Sequence, residues 1–263
     1  MDYDSILLDV ADGVATLTLN RPARLNSLTS EMHREIRHAL DQVEASGKAR
    51  VLVLTGAGRA FSAGQDLTES RQAGESDGFD AGRALEEHYN PLLLRLKALP
   101  MPVVAAVNGV AAGAAANLAL ACDIVIAARS ATFLQAFARI GLVPDAGGTH
   151  ALPRLVGMAR AMGLCLLAEP IDASTAAQWG LIWRAVDDAD FAGEVRKLAT
   201  RLASGPTATY ALIKEALHAS LHNGHEAQLA VEVDCQRRAA ASDDFHEGVA
   251  AFLEKRSPVF KGR

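Results

Sequence analysis

One aspartate stands alone in the apolar, glycine-bracketed run Gly141-Leu142-Val143-Pro144-Asp145-Ala146-Gly147-Gly148-Thr149. A carboxyl with apolar neighbours loses hydration, so its proton affinity rises toward a range where it can take and return a proton. Aspartate equally suits the N-cap of a helix opening after Gly147, and the local sequence leaves both roles open.

Two further segments are built for close backbone approach. Ala60-Phe61-Ser62-Ala63-Gly64-Gln65-Asp66 follows the β-branched run Val51–Thr55, and Asn108-Gly109-Val110-Ala111-Ala112-Gly113-Ala114 follows Val103–Val107. Small residues let a ligand reach the main chain, and a helix opening presents free N–H groups. Two such turns side by side can aim two donors at one developing oxyanion. Either turn alone is equally well a plain strand-to-loop glycine corner.

The elements that must position these groups follow from the pattern. Ser5–Val10 and Val14–Leu19 flank Ala11-Asp12-Gly13 as a hairpin. Thr29 caps a helix striped by Met32, Ile36, Leu40 and Val43 and stopped near Gly47. Glu69–Asp80 has no apolar period and reads as a surface loop. A helix spans about Gly82 to Ala98, followed by strand Val103–Val107, helix Ala111–Ala121 and strand Asp123–Ala127. This alternation predicts parallel strands with helices outside. Helices are then predicted at Met158–Leu167, Ala173–Trp179, Phe191–Ser204, Thr207–Leu221, Glu226–Ala241 and Phe245–Lys255, with one strand at Leu181–Val186. The pattern divides the chain into an α/β core over 1–190 and a helical part over 191–263.

Composition narrows the function classes. With half of its 263 residues hydrophobic and 22% charged, the chain folds and is no disordered tail. Its 26 basic and 31 acidic residues give a net charge of −5, so no global positive field holds nucleic acid or an acidic membrane surface. The longest apolar stretch, Met101 to Ala121, is broken by Pro102, Asn108, Gly109, Gly113 and Asn117, so no membrane span is expected. Cys122, Cys165 and Cys235 form no C-x-x-C, and the N-terminus lacks the basic flank and apolar run of a signal peptide; both point to a reducing, cytoplasmic setting. His218, His222 and His225 sit at helical spacing but complete no H-E-x-x-H, so no metal is expected. Cys122 reads as a packed thiol, Trp179 and Trp183 as packing of the helical part onto the core.

Taken together, Ala63-Gly64-Gln65-Asp66, Asn108–Ala114 and Cys122-Asp123-Ile124, in a match from Leu17-Thr18-Leu19-Asn20-Arg21-Pro22 to Ala251–Arg256, resemble the enoyl-CoA hydratase/isomerase (crotonase) superfamily. The resemblance implies an α/β, crotonase-like spiral of repeated strand-turn-helix units with a C-terminal helical trimerisation region. It implies an oxyanion hole from the backbone N–H groups of Gln65 and Ala114, the Gln65 side chain mattering less. Ala63, Asp66, Gly113 and Phe137 would contact substrate. Arg24 would meet the CoA phosphates, although a lysine found one position earlier in many relatives is Ala23 here. Phe252 and Lys255 would cover the adenine and phosphates from a neighbouring subunit of a trimer or dimer of trimers; read alone, they are two residues of an amphipathic helix. CoA, part of the substrate and not a cofactor, is itself a polyanion that a few local cations can hold.

One departure bears on the chemistry. Hydratases of the superfamily place two glutamates where this chain has Asn117 and Phe137, neither of which ionises. Asp145 falls where some isomerases keep one catalytic aspartate, and one carboxylate suffices to move a proton along an allylic enolate. Tyr89-Asn90-Pro91-Leu92, Pro102–Ala114, Asp123–Ser130, Ile140–Thr149 and Ala159–Leu164 further resemble the ring-epoxide isomerases of phenylacetate catabolism. The competing expectations are a hydratase, an aryl-CoA dehalogenase using an aspartate nucleophile (disfavoured by Phe137 where those relatives carry tryptophan), and a catalytically silent assembly or RNA-binding relative.

Overall fold

The computed structural model describes residues 3–68 and 80–263; the predicted loop at Glu69–Asp80, apart from Asp80 itself, lies outside them. The chain opens with the hairpin β1 (Ile6–Ala11) and β2 (Val14–Leu19), joined through Asp12 and Gly13 at positive φ. Alternation in β2 sends Ala15, Leu17 and Leu19 inward. Helix α1 (Ser30–Ser46) starts where the Thr29 hydroxyl accepts from Met32 N–H at 3.2 Å and ends at Gly47, with the predicted stripe buried.

The strands form two sheets. The first has the order β1-β2-β3-β5-β7-β10, parallel from β2 onward, with β3 at Val51–Gly56, β5 at Val103–Val107, β7 at Ile124–Ala128 and β10 at Arg184–Val186. The second has the order β4-β6-β8-β9, with β4 at Ala60–Ser62, β6 at Val110–Ala112, β8 at Thr132–Leu134 and β9 at Ile171–Asp172. Each of β3, β5 and β7 runs straight into a short strand of the second sheet after a two- or three-residue corner. This repeated unit is the spiral. Asn26 and Asn108 pin the first corner: Asn26 Nδ2 donates to Ala57 O and Ala60 O at 2.9 and 2.8 Å, and Asn108 Nδ2 to Gly58 O at 2.9 Å.

The sequence expectation of a helix over Ala111–Ala121 is corrected here. Val110–Ala112 pairs with both β4 and β8, the chain breaks at Gly113, and the helix, α4, covers only Ala114–Leu120. Upstream, the predicted helix to Ala98 is real but not uniform: α2 (Ala81–Ala84) passes through a π turn at Leu85–Tyr89 into α3 (Asn90–Ala98). Helix α5 (Gly148–Leu167) changes direction at Gly157.

After α6 (Ala173–Gln178) come α7 (Asp188–Ala203), α8 (Thr207–Ser220), α9 (His225–Ala240) and α10 (Asp243–Glu254). Residue 190 lies within α7, which packs Leu198, Ala199 and Ala203 onto Val51, Val53, Val104 and Ile126 of the first sheet. Helix α8 is fastened by buried Lys214, whose ammonium donates to Leu99 O and Met101 O at 3.1 and 2.8 Å and pairs with Asp123 at 2.8 Å. Cys122 is buried, as expected. Trp183 is not a core residue: it is 55% exposed, with the Arg184 guanidinium 4.4 Å from its ring centroid. Among the described residues, no helix is long and apolar enough to cross a membrane.

Candidate active site

The spiral brings the two glycine-rich corners into contact. Gly64 is buried with φ +91°, and a Cβ there would lie 2.7 Å from Ala112 O and 3.7 Å from Ala114 N, so only glycine lets the strands close up. Leu28 N–H donates to Gly64 O at 2.8 Å and Asp66 N–H to Leu28 O at 2.8 Å. The N–H of Gln65, trans to that bonded carbonyl across a planar peptide, therefore points away from Leu28. Ala114 is the first residue of α4, so its N–H has no acceptor within the helix. Both residues line one cleft of about 250 Å³, together with Ala63, Gly113, Phe137 and Asp145. Two N–H groups so placed can donate to a single oxygen.

Asp145 enters this cleft from the loop before α5. It is not the helix cap: Gly147 occupies that position without a side-chain hydrogen bond. Asp145 Oδ1 is buried with no hydrogen-bond partner among the described residues. Burial pushes its carboxyl up to about 6, against a small opposing pull from its own backbone, which makes it a proton acceptor and donor near neutrality. Leu67, Ala84, Leu85, Ile140 and Leu142 supply the apolar wall, and Asp145 is the one carboxyl among the described lining residues.

Asn117 and Phe137 part company. Phe137 lies against the Gly113 corner, its ring tip 3.9 Å from where a Gly113 Cβ would sit. Asn117 is buried behind the cleft, its Nδ2 donating to Asp145 O and its Oδ1 accepting from Gln135 Nε2, both at 2.8 Å. The Gln65 side chain is also engaged: its Oε1 accepts from the Tyr89 hydroxyl. Tyr89 comes from the π turn, is 2% exposed and sits edge-on to His33 at 4.4 Å between ring centroids. Burial, with His88 and Arg37 nearby, pushes His33 down to about 3, so it is neutral. The sequence marks Tyr89 only within the motif Tyr89-Asn90-Pro91-Leu92, with no role assigned to it, and nothing local marks Gln135.

The remaining candidates lie elsewhere. Arg24 and Asp66 line an adjacent polar cleft with Arg21, Thr29 and Thr68. The Asp66 carboxylate accepts from Arg21 Nη1 at 3.0 Å, Ser27 Oγ at 3.1 Å and Thr68 N–H at 3.1 Å, so its oxygens hold the turn. Burial works against its ionisation, but these donors leave its pKa below the ordinary value. Phe252 and Lys255, at the end of α10, line neither cleft; Phe252 is 83% exposed beside a groove formed with Phe245, Val249 and Phe260. Within one chain they are not brought to the site.

The family model described as enoyl-CoA hydratase/isomerase matches residues 9–263. A 1,2-epoxyphenylacetyl-CoA isomerase of Escherichia coli is 53% identical over 98% of both chains. A protein of Rhodobacter capsulatus named probable enoyl-CoA hydratase is 54% identical over the full length of both. The crystal structure of an enoyl-CoA hydratase from Bacillus anthracis, 33% identical, superposes with a TM-score of 0.90 over 99% of this chain and 100% of that one.

Proposed function

The chain belongs to the enoyl-CoA hydratase/isomerase family and has the crotonase fold, and within that family we propose that it is an acyl-CoA isomerase, acting as a 2-(1,2-epoxy-1,2-dihydrophenyl)acetyl-CoA isomerase that also shifts double bonds in unsaturated acyl-CoAs. The observation that carries this reading is the Asp145 carboxyl facing the cleft beside the Gln65 and Ala114 turns, its Oδ1 without a partner among the described residues. The E. coli relative at 53% identity supports the ring-epoxide substrate.

In the double-bond reaction the thioester oxygen accepts from the N–H groups of Gln65 and Ala114. The Asp145 carboxylate removes a C2 proton, the negative charge spreads over a dienolate held by the two donors, and the carboxylic acid returns the proton at C4. One such donor is worth roughly 3–4 kcal/mol at the transition state. With the ring epoxide, the carbon–carbon bond shared by epoxide and ring opens to a seven-membered oxepin, and the C2 proton returns to a ring carbon. Both reactions need one carboxyl that takes and gives. Hydration needs a second group to activate water, and the Asn117 amide is committed to Asp145 O and Gln135.

Arg24 holds the CoA phosphates beside the Asp66 turn, and Phe252 and Lys255 reach the CoA of a neighbouring subunit in a trimer or dimer of trimers. Exposed Met158, Met162, Leu166 and Leu217 on α5 and α8 support such an assembly. The test is to incubate the protein with a 3-enoyl-CoA, with crotonyl-CoA and with the ring epoxide, before and after Asp145→Asn. Isomerised products that vanish in the variant are expected. A 3-hydroxyacyl-CoA as main product, formed equally well by the variant, would make the protein a hydratase.

A further inference from the structure

We infer that Asn117 is the positioning residue for the proton-transferring carboxyl, its buried amide clamping the main chain of Asp145 so that the side chain keeps its seat in the cleft. The inference rests on the isomerase reading for its catalytic consequence, and on geometry alone for the clamp.

Three contacts build the clamp. Asn117 is 2% exposed and donates from Nδ2 to Asp145 O at 2.8 Å. Gln135, 4% exposed, donates to Asn117 Oδ1 at 2.8 Å and so fixes which end of the amide faces Asp145. Gly148 N–H donates to the same Asp145 carbonyl at 2.8 Å, using its second lone pair. The loop closes so tightly over Asn117 that a Cβ on Gly148 would stand 2.3 Å from Nδ2.

The loop needs holding. Ala146, next to Asp145, has φ +46°, a left-handed conformation that alanine rarely adopts unless its surroundings impose it. The Asp145 side chain does not tie the loop to any other residue through Oδ1, which has no partner among the described residues. Asn117 stands three residues after Ala114 on α4, so one short helix carries an N–H of the oxyanion site at its start and the Asp145 clamp one turn later. The distance between the two reacting groups is thereby referred to one rigid element. The residue type follows as well: an ionised carboxylate at position 117 would set lone pairs against the Asp145 carbonyl, whereas an amide donates to it. Asn117 does not line the cleft, so it acts through Asp145 and not on substrate.

The test uses Asn117→Ala and the milder Gln135→Leu in the full-length protein. Carboxyl-carbon NMR of aspartate-labelled protein, with Asp145→Asn for assignment, follows the Asp145 titration without turnover. The wild type is expected to titrate near 6. Release of the loop hydrates the carboxyl, so Asn117→Ala should move that midpoint acidward by about one unit, and Gln135→Leu in the same direction by less. Misplacing a reacting group by about 1 Å costs up to ~100-fold, so kcat for 3-enoyl-CoA should fall about 30-fold in Asn117→Ala and about fivefold in Gln135→Leu. KM should stay within about twofold, and the acid limb of kcat should shift with the titration. A midpoint and kcat unchanged in both variants, whatever their melting temperatures, would overturn the clamp. A wild type without isomerase activity would instead overturn the functional reading, while the titration still decides the clamp.

Discussion

Replacing Asp145 with Asn is expected to remove proton transfer and, at neutral pH, to make the protein more stable. The carboxyl is raised from an ordinary 3.8 to about 6 because the cleft strips its water and offers Oδ1 no donor. At ~1.36 kcal/mol per unit, that rise is an upper bound of about 3 kcal/mol, and partial exposure to solvent reduces it to about 1–2 kcal/mol. The sign follows from where the proton binds better. The folded-state value lies above the unfolded one, so the contribution is fully present below about pH 4 and is lost as pH rises through about 6. Above that, the wild type buries a charge that the variant lacks. Urea unfolding of both proteins at about pH 4.5 and pH 7.5, at equal chain concentration, should show the variant's advantage growing by about 1 kcal/mol toward the higher pH. An advantage of the same size at both pH values would refute the desolvation argument, as would a variant less stable at the higher pH.

Gly64→Ala should cost kcat heavily, because its Cβ would sit 2.7 Å from Ala112 O at φ +91°; displacing one oxyanion donor predicts a loss of about 100- to 1,000-fold with a smaller effect on KM, measured by steady-state kinetics. Lys214→Met removes the buried ammonium that pairs with Asp123, leaving that carboxylate only the Val103 N–H and the more distant His218, and should destabilise by about 3–5 kcal/mol in urea melts, with recovery on adding Asp123→Asn. Lys255→Ala should raise KM for acyl-CoA more than it lowers kcat; unchanged kinetics would remove Lys255 from the CoA site.

The long elements were legible because their patterns run over many residues: Thr29, the Met32–Val43 stripe and Gly47 together define α1, and continuous valine-rich apolar runs mark β3 and β5. The second sheet was not, because β4, β6, β8 and β9 span two or three residues each, too short for any period and stabilised by pairing with chain far away in sequence. That is why Ala111-Ala112 reads locally as the start of a helix. The site divides similarly. Asp145, Gln65 and Ala114 stand out through glycine-bracketed motifs, whereas the ties from Asn117, Gln135 and Tyr89 exist only after the loops meet.

The helix that forms part of the apolar wall of the cleft carries a property of phase. Asn90 N–H reaches back five residues to Leu85 O, so the π turn holds one residue more than an α-helical turn would. Each helical residue advances the azimuth by 100° and the axis by 1.5 Å. Deleting His88 would leave α3 in register and rotate α2 by that step, swinging Ala81 and Ala84 off the wall they now form. The cross-section of the cleft is thus set in whole-residue increments. An insertion or deletion here re-cuts the pocket in a way that no side-chain exchange can, and leaves the oxyanion turns and Asp145 where they are.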